Sequence, residues 1–169
     1  MNDYDVIVVG AGNAAFCSAL AAAIDKNAKV AVLERAPDED FGGNSRYTAG
    51  AIRFAHHGLQ DLETIIDINP EERENTDFGI YTADDFYDDM YRVTNFRCDA
   101  DLVEVLVTQS LSTLQWMKGK GVRFQPSYGR QAFKVDGKYK FWGGLCVEAW
   151  GGGPGLVETE LKIAREAGV

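Results

Sequence analysis

A short glycine-rich segment near the N-terminus has the residue types and spacing of a dinucleotide-binding turn. It consists of Gly10-Ala11-Gly12-Asn13-Ala14-Ala15 and fits the pattern G-x-G-x-x-A. Gly10 would permit a tight turn, and Gly12, which lacks Cβ, would let a pyrophosphate approach the backbone. Ala15 is small enough for a helix to pack closely on a strand. The free N–H groups at the start of that helix would bind the phosphates.

An acidic residue follows at the distance expected of a ribose ligand. Glu34 lies 19 positions after Ala15, at the end of the next apolar run, and could accept hydrogen bonds from both hydroxyls of an adenosine ribose. Its charge would repel a 2′-phosphate, so the neighbouring Arg35 does not make NADP the expected cofactor. The alternative is a glycine turn in an α/β protein that binds no nucleotide.

A second glycine-rich stretch begins eight residues after Glu34. It consists of Gly42-Gly43-Asn44-Ser45 and is followed by Thr48-Ala49-Gly50-Ala51. Such backbone could run along an extended cofactor or form a flexible surface loop, and spacing alone does not decide between them. Arg46 and Arg53 flank this stretch and are candidates for binding cofactor phosphate or substrate carboxylate.

Two strands and a helix are expected to position these residues. Val6–Val9 is a β-branched run typical of a strand buried on both faces of a parallel sheet, and residues 29–33 form a second apolar run. The alanine-rich segment 14–24 between them predicts a helix that can lie close against the sheet. Residues 5–34 therefore predict one βαβ unit.

The remaining chain predicts a mainly helical insertion in this α/β fold. Thr82 and Asp99 are suitable N-cap residues, and residues 122–141 contain short strand-like pieces. The predicted helices cover residues 83–94, 100–118 and 156–167. One βαβ unit supplies too few strands for a complete doubly wound sheet, so we expect this chain to be an N-terminal piece of a longer protein.

Composition excludes several classes of protein. The chain has 169 residues and a net charge of −9, and residues 60–104 carry 14 Asp and Glu against three Lys and Arg. This acidity argues against nucleic-acid binding. Three cysteines without close pairs predict neither a disulfide framework nor a metal site. The polar start is not a signal peptide and no run reaches the roughly 18–20 apolar residues that span a bilayer, so we expect a cytoplasmic protein.

Several segments together resemble the FAD-binding half of the fumarate reductase/succinate dehydrogenase flavoprotein family. They are residues 5–15, Glu34-Arg35, Gly42-Gly43-Asn44-Ser45 and Ala49-Gly50. The runs 42–51, 81–89, 116–122 and 152–157 are most similar to the FAD-dependent tricarballylate dehydrogenase branch. This resemblance implies an FAD-binding domain whose first part is residues 1–60, an insertion at 61–142, and a return to the domain at 143–169.

The resemblance also implies roles for individual residues. Ala14 and its neighbours would contact the pyrophosphate, Asn44 and Ser45 would follow the flavin side of FAD, and Ala49 and Gly50 would lie near the isoalloxazine edge. Some relatives attach FAD through a histidine near the Asn44 position, and its absence here implies non-covalent FAD. The cofactor-binding candidates are Gly10, Gly12, Asn13, Ala14, Ala15, Glu34, Arg35, Gly43, Asn44, Ser45, Ala49 and Gly50.

The resemblance implies an FAD-dependent oxidoreductase that acts on a small polycarboxylic acid such as tricarballylate and uses an unidentified electron acceptor. The family's catalytic arginine would lie beyond Val169, so no catalytic residue is assigned, and the 169 residues alone are expected to be inactive. The alternatives are a non-catalytic nucleotide-binding module, a ketosteroid-dehydrogenase-like flavoprotein and an NAD-dependent dehydrogenase. The polar insertion disfavours the steroid enzyme, and the early second glycine stretch disfavours the NAD enzyme. The adjacent His56 and His57 are not expected to form a pair of ligands.

Overall fold

The two apolar runs that flank the alanine-rich segment form parallel strands. The computed structural model describes residues 3–169, with β1 at Val6–Val9 and β2 at Val30–Leu33. The strands pair from Val6 opposite Val30 to Val9 opposite Leu33. Between them, α1 covers Asn13–Leu20 and continues as a π-helical turn at Ala21–Asp25. The βαβ unit predicted from the sequence is confirmed, and its helix begins one residue earlier than expected.

Within residues 3–169, these strands are not buried on both faces. Ile7, Val9 and Leu33 are 60%, 82% and 55% exposed, whereas Val30 is buried. Helix α1 packs against both strands and contributes buried side chains such as Phe16. Within the described residues, the sheet therefore receives helical cover on one face, and the apolar side chains of the other face contact solvent.

The later elements are short except for three helices. In chain order they are α2 (Gly43–Arg46), β3 (Ala51–Ile52), α3 (Leu59–Glu63), α4 (Pro70–Asn75), β4 (Thr76–Asp77), α5 (Ala83–Val93), α6 (Ala100–Lys120), β5 (Phe124–Pro126), α7 (Tyr128–Gln131), β6 (Ala132–Val135), β7 (Lys138–Phe141), β8 (Val147–Ala149) and α8 (Gly152–Glu166). The three long predicted helices are present as α5, α6 and α8, and α8 begins four residues earlier than expected. Among residues 3–169, no helix has both the length and the apolar character needed to cross a membrane.

The chain divides into two compact units. The first contains the described residues up to Gly50 together with Lys120–Val122 and Ala149–Val169, and the second contains Ala51–Gly119 and Arg123–Glu148. The first unit therefore holds the βαβ unit, α2 and α8. The domain boundaries expected after residues 60 and 142 remain a prediction.

The second unit contains two small sheets and the helices α3 to α7. One sheet has the strand order β3-β8-β5 and the other β4-β7-β6. Strands β6 and β7 form an antiparallel hairpin whose turn residues, Asp136 and Gly137, have φ of 51° and 83°. Positive φ at both central positions gives the turn a twist that matches the flanking strands.

Helix α5 begins where the sequence predicts. The Thr82 hydroxyl accepts the Asp85 N–H at 3.2 Å, and the Asp85 carboxylate accepts the Thr82 N–H at 2.8 Å, which forms a capping box. Phe86 on this helix packs with Val103 and Val107 of α6. The cap fixes the first residue of the helix, and the apolar side chains then fix which face is buried.

Two glycines of the second unit should respond in opposite ways to a methyl group. A Cβ on Gly144 would lie 2.2 Å from Tyr81 Cδ1 and 2.7 Å from the Phe54 carbonyl oxygen, whereas a Cβ on Gly119, within α6, would meet nothing within 4 Å. We expect Gly144→Ala to lower the free energy of unfolding by roughly 1–3 kcal/mol. Gly119→Ala should raise it by up to about 1 kcal/mol. Urea denaturation of the two variants would test this, and equal midpoints would contradict it.

Candidate functional site

The two glycine-rich segments of the sequence meet in the first unit. The backbone N–H of Asn13 donates a hydrogen bond to Ser45 Oγ at 3.1 Å. A Cβ on Gly12 would lie 3.2 Å from the Gly42 carbonyl oxygen, so the two segments approach each other at backbone distance. The structure thus brings together Gly12, Asn13 and Ser45, which the sequence analysis assigned to one cofactor.

The start of α1 is open for an anion. Gly12 is its N-cap residue and has no side chain with which to cap the first N–H groups. Ala14, in the first turn, is exposed, and Ala15 is half-buried. Apart from the Asn13 N–H, which bonds to Ser45 Oγ, the first turn of this helix offers N–H donors and a partial positive charge, which is the chemistry that binds a pyrophosphate.

Glu34 also has a structural role that its position in the sequence does not indicate, because its carboxylate accepts backbone N–H groups. Its Oε1 accepts the N–H groups of Arg35 and Ala36 at 2.6 and 2.8 Å, and its Oε2 accepts the N–H of Ala11 at 2.7 Å. The bond from Ala36, together with those from Ala11 and Arg35, holds the pKa of this exposed carboxyl below its ordinary value. The ionised carboxylate therefore ties the glycine turn to the end of β2.

These hydrogen bonds limit what Glu34 can offer a ribose. A carboxylate accepts about four hydrogen bonds, and three of its positions are taken by backbone donors. One hydroxyl could bind directly at Oε2, whereas a second would have to replace a backbone N–H. The backbone of Arg35 contributes to this arrangement through its N–H.

Two hollows border Glu34. A cavity of about 440 Å³ is lined by Ala11, Glu34, Ala36, Asp38 and Arg165, among others. An open hollow of about 510 Å³ lies along Gly10, Glu34 and Arg35. Both volumes are within the range of small-molecule sites. No sequence motif indicates Ala36, Asp38 or Arg165 as lining residues. Arg165 reaches the cavity only through the packing of α8.

The glycine run at the start of α8 holds the second glycine segment in place. The Gly153 N–H donates to the Thr48 carbonyl oxygen at 3.0 Å, and a Cβ on Gly153 would lie 2.1 Å from the Ser45 carbonyl oxygen. Gly50 has φ of 74°, and a Cβ there would lie 2.8 Å from Gly152 C. Ala49 and Gly50 are therefore packed against α8.

The other predicted residues of this segment face solvent or carry backbone contacts. Gly43 has φ of 53° and open space around it. Asn44 is exposed, and its carbonyl oxygen accepts the Tyr47 N–H at 3.2 Å. Gly10 has φ of 104°, which is the left-handed conformation that the tight turn after β1 requires.

The two arginines that flank this segment have anionic partners within the chain. Arg46 lies 3.5 Å from Glu158 and its guanidinium lies over the Phe41 ring. In the second unit, Arg53 bonds to Asp89 at 3.0 Å. Each would have to share or exchange its partner in order to bind a phosphate or a substrate carboxylate.

His56 is a buried structural residue of the second unit. Its Nδ1 accepts the Gly58 N–H at 3.2 Å, and its Nε2 lies 3.6 Å from Cys146 Sγ. Burial lowers the pKa of this imidazole to about 4, so the ring is neutral at physiological pH.

A glycine turn after a first strand, an uncapped helix start and an acidic residue after a second strand define a nucleotide-binding α/β domain. The particular family follows from comparison with known proteins. The chain belongs to the FAD binding domain family, whose model matches residues 5–169. The prediction that the cofactor is FAD is thereby confirmed.

Named relatives are reductases. The chain is 28% identical over 165 residues to the probable fumarate reductase Ifc3 of Shewanella frigidimarina (strain NCIMB 400), covering 97% of the chain and 24% of that protein. It is 34% identical over 117 residues to a fumarate reductase (cytochrome) of Shewanella frigidimarina, covering 69% of the chain and 18% of that protein. It is 29% identical over 125 residues to the vinyl phenol reductase of Lactiplantibacillus plantarum (strain ATCC BAA-793 / NCIMB 8826 / WCFS1), covering 73% and 22% respectively.

Solved structures show the same fold. Sdh1 of Mycobacterium smegmatis in complex with UQ1 matches 96% of the chain and 24% of its own chain, with a TM-score of 0.58 and 16% identity. The chain thus spans about a quarter or less of the length of these relatives. The predicted resemblance to fumarate reductase flavoproteins is confirmed at the level of the family.

We expect Glu34→Ala to weaken FAD binding more than Arg35→Ala does. The first change removes a possible ribose acceptor and three bonds that order the glycine turn, whereas the second keeps the backbone N–H that bonds to Glu34. One charge-assisted hydrogen bond contributes roughly 1.5–3 kcal/mol, so a loss of affinity of tenfold or more is expected for Glu34→Ala. Flavin titration of the apoprotein measures both, and equal affinities would remove the ribose role.

Proposed function

We propose that this chain binds FAD non-covalently through both glycine segments and that the whole protein is an FAD-dependent oxidoreductase. The observation that supports this most directly is the contact between the two segments, in which Asn13 N–H meets Ser45 Oγ. That contact joins a residue that the resemblance places at the pyrophosphate of FAD to one that it places along the flavin side of the same cofactor. The open start of α1 would bind the pyrophosphate, and Glu34 would accept a ribose hydroxyl.

The residues toward the flavin end would act through their backbone. Gly50 is held against Gly152, and Ser45 against Gly153, at distances that leave no room for a side chain. A fixed, side-chain-free backbone would let the planar ring lie close to the chain without displacing it. FAD, when bound, supplies the capacity to take up or give back a hydride. This chain would bind and orient FAD.

We propose that the substrate is a small polycarboxylic acid. The resemblance of residues 42–51 and 81–89 to the tricarballylate dehydrogenase branch supports that class, as do the relatives that are named fumarate reductases. The reaction would move a hydride between a substrate C–C bond next to a carboxylate and the flavin, with a separate electron acceptor or donor. The substrate-binding and proton-transferring groups are not assigned to residues of this chain.

FAD is expected to leave the polypeptide on denaturation. No histidine lies in the segment from Gly42 to Gly50, so the segment lacks the side chain through which a covalent link of the expected kind would form. Acid precipitation of the purified protein should leave yellow flavin in the supernatant and a colourless pellet. Flavin absorbance that stays with the pellet would show a covalent bond and contradict this proposal.

The substrate class is tested by turnover with the protein at its full natural length. Dye-linked oxidation of tricarballylate, or reduction of fumarate by reduced dye, should be detected and should be lost in Gly12→Val, whose side chain would press on the Gly42 carbonyl. Residues 1–169 alone should turn over neither compound. Reduction of a vinyl phenol without activity on either acid would instead place the protein with its vinyl phenol reductase relative.

A further inference from the structure

A carboxyl group is buried in the first unit without a charged partner. Glu160 lies in α8 and is 0% exposed. Its Oε1 is 3.7 Å from Cys17 Sγ, and its Oε2 is buried without a hydrogen-bond partner among the described residues. A carboxyl in such surroundings resists ionisation, because burial withdraws water from the charged form and nothing nearby neutralises it.

Glu160 is connected to the start of α1 by a short series of contacts. Cys17 lies one helical turn after Asn13, and its Sγ is 3.5 Å from Asn13 Oδ1. Asn13 in turn donates its backbone N–H to Ser45. These contacts link Glu160, through Cys17 and the Asn13 side chain, to one of the two residues at which the glycine segments meet.

The charge of Glu160 is not compensated by neighbouring elements. Helix α1 has no charged residue, and its one titratable group, Cys17, has its pKa raised to about 12 by burial and by the carboxyl of Glu160. Burial raises the pKa of Glu160 to about 8. Charged side chains on the neighbouring elements form ion pairs with one another. Arg46 of α2 pairs with Glu158 of α8, Lys162 pairs with Glu166 within α8, and Lys120 pairs with Asp25.

We propose that Glu160 is a proton-dependent positioning residue for FAD: with its proton it keeps the start of α1 competent to bind the pyrophosphate, and without it FAD binding weakens. The proposal rests on the proposed role of α1 in holding the phosphates. It assigns Glu160 no contact with FAD, because the residue acts through Cys17 and Asn13.

Two effects of deprotonation act in the same direction. A buried negative charge about one turn below the helix start, at roughly 10 Å from a bound pyrophosphate, repels the phosphates. The carboxylate would also need a hydrogen-bond donor for Oε2, and its movement toward one would disturb the contact with Cys17. At an effective dielectric constant of about 25–50, the repulsion from one unit of phosphate charge at this distance corresponds to a roughly three- to tenfold loss of affinity. Binding and protonation are reciprocally linked, so bound FAD must raise the proton affinity of Glu160, and with it the pKa of that carboxyl, to a matching extent.

The test is the FAD dissociation constant of the apoprotein between pH 6.5 and 9.0. In the unmodified protein, affinity should fall roughly three- to tenfold as the pH rises through 8. Glu160→Gln keeps the shape and removes the charge, and its affinity should stay constant across this range. Glu166→Gln makes the same change at an exposed position of the same helix and should behave like the unmodified protein. An unmodified protein without a pH effect, or a Glu160→Gln variant that retains it, would overturn the proposal.

A second measurement uses the unmodified protein alone. Calorimetric binding of FAD at pH 8 in two buffers of different ionisation enthalpy should show proton uptake, and at pH 6.5 it should show none. Equal heats in both buffers at pH 8 would also overturn the proposal.

Failure of this proposal can be told apart from failure of the proposed site. Since burial favours the protonated carboxyl, the free energy of unfolding of the apoprotein should fall as the pH rises from about 4.5 to 8. This fall should be smaller in Glu160→Gln, whether or not FAD binds at α1. If Glu34→Ala leaves FAD affinity unchanged, the site is wrong. If Glu34→Ala weakens binding while Glu160→Gln keeps the pH effect, only the positioning role is wrong.

Discussion

The close approach of backbone to backbone at three glycine contacts is the constraint on which the first unit depends. Gly12 contacts Gly42, Gly50 contacts Gly152, and Gly153 contacts Ser45. A Cβ added to the first glycine of each pair would lie 3.2 Å or less from the facing backbone. These contacts bring the turn after β1, the segment around α2 and the start of α8 together. Because they involve backbone rather than flexible side chains, they fix the position of each segment closely.

Hydrogen bonds to Glu34, the proposed ribose ligand, also order the glycine turn. Its carboxylate bonds to Ala11, Arg35 and Ala36, so the turn is already ordered before any ligand arrives. A preorganised turn spends less of the binding free energy on ordering the chain. The cofactor would thus meet a surface whose geometry is set by the protein's own hydrogen bonds.

Local patterns in the sequence predicted the elements but not the contacts between distant segments. The βαβ unit and the Thr82 cap follow from periodicity and from residue preferences over a few positions. The packing of Gly153 on Ser45 joins residues more than a hundred positions apart, and no local rule specifies it. Likewise, Glu160 lies in a helix whose pattern alone does not distinguish a buried acid from an exposed one. An apolar run such as β1 reports what a strand can bury, whereas the exposure of Ile7 and Val9 depends on which elements cover the sheet.

The π-helical turn at Ala21–Asp25 forms the C-terminal end of the first helix. An extra residue in a helical turn changes the direction of every side chain that follows it, and here it sets the direction of Asp25, which pairs with Lys120. Removing one alanine from this turn would restore regular α-helical winding and rotate Asp25 by about 100°, while Asn13 and Cys17 would keep their places. A one-residue deletion in the alanine run is therefore expected to cost the Asp25–Lys120 ion pair and to leave the glycine turn in place.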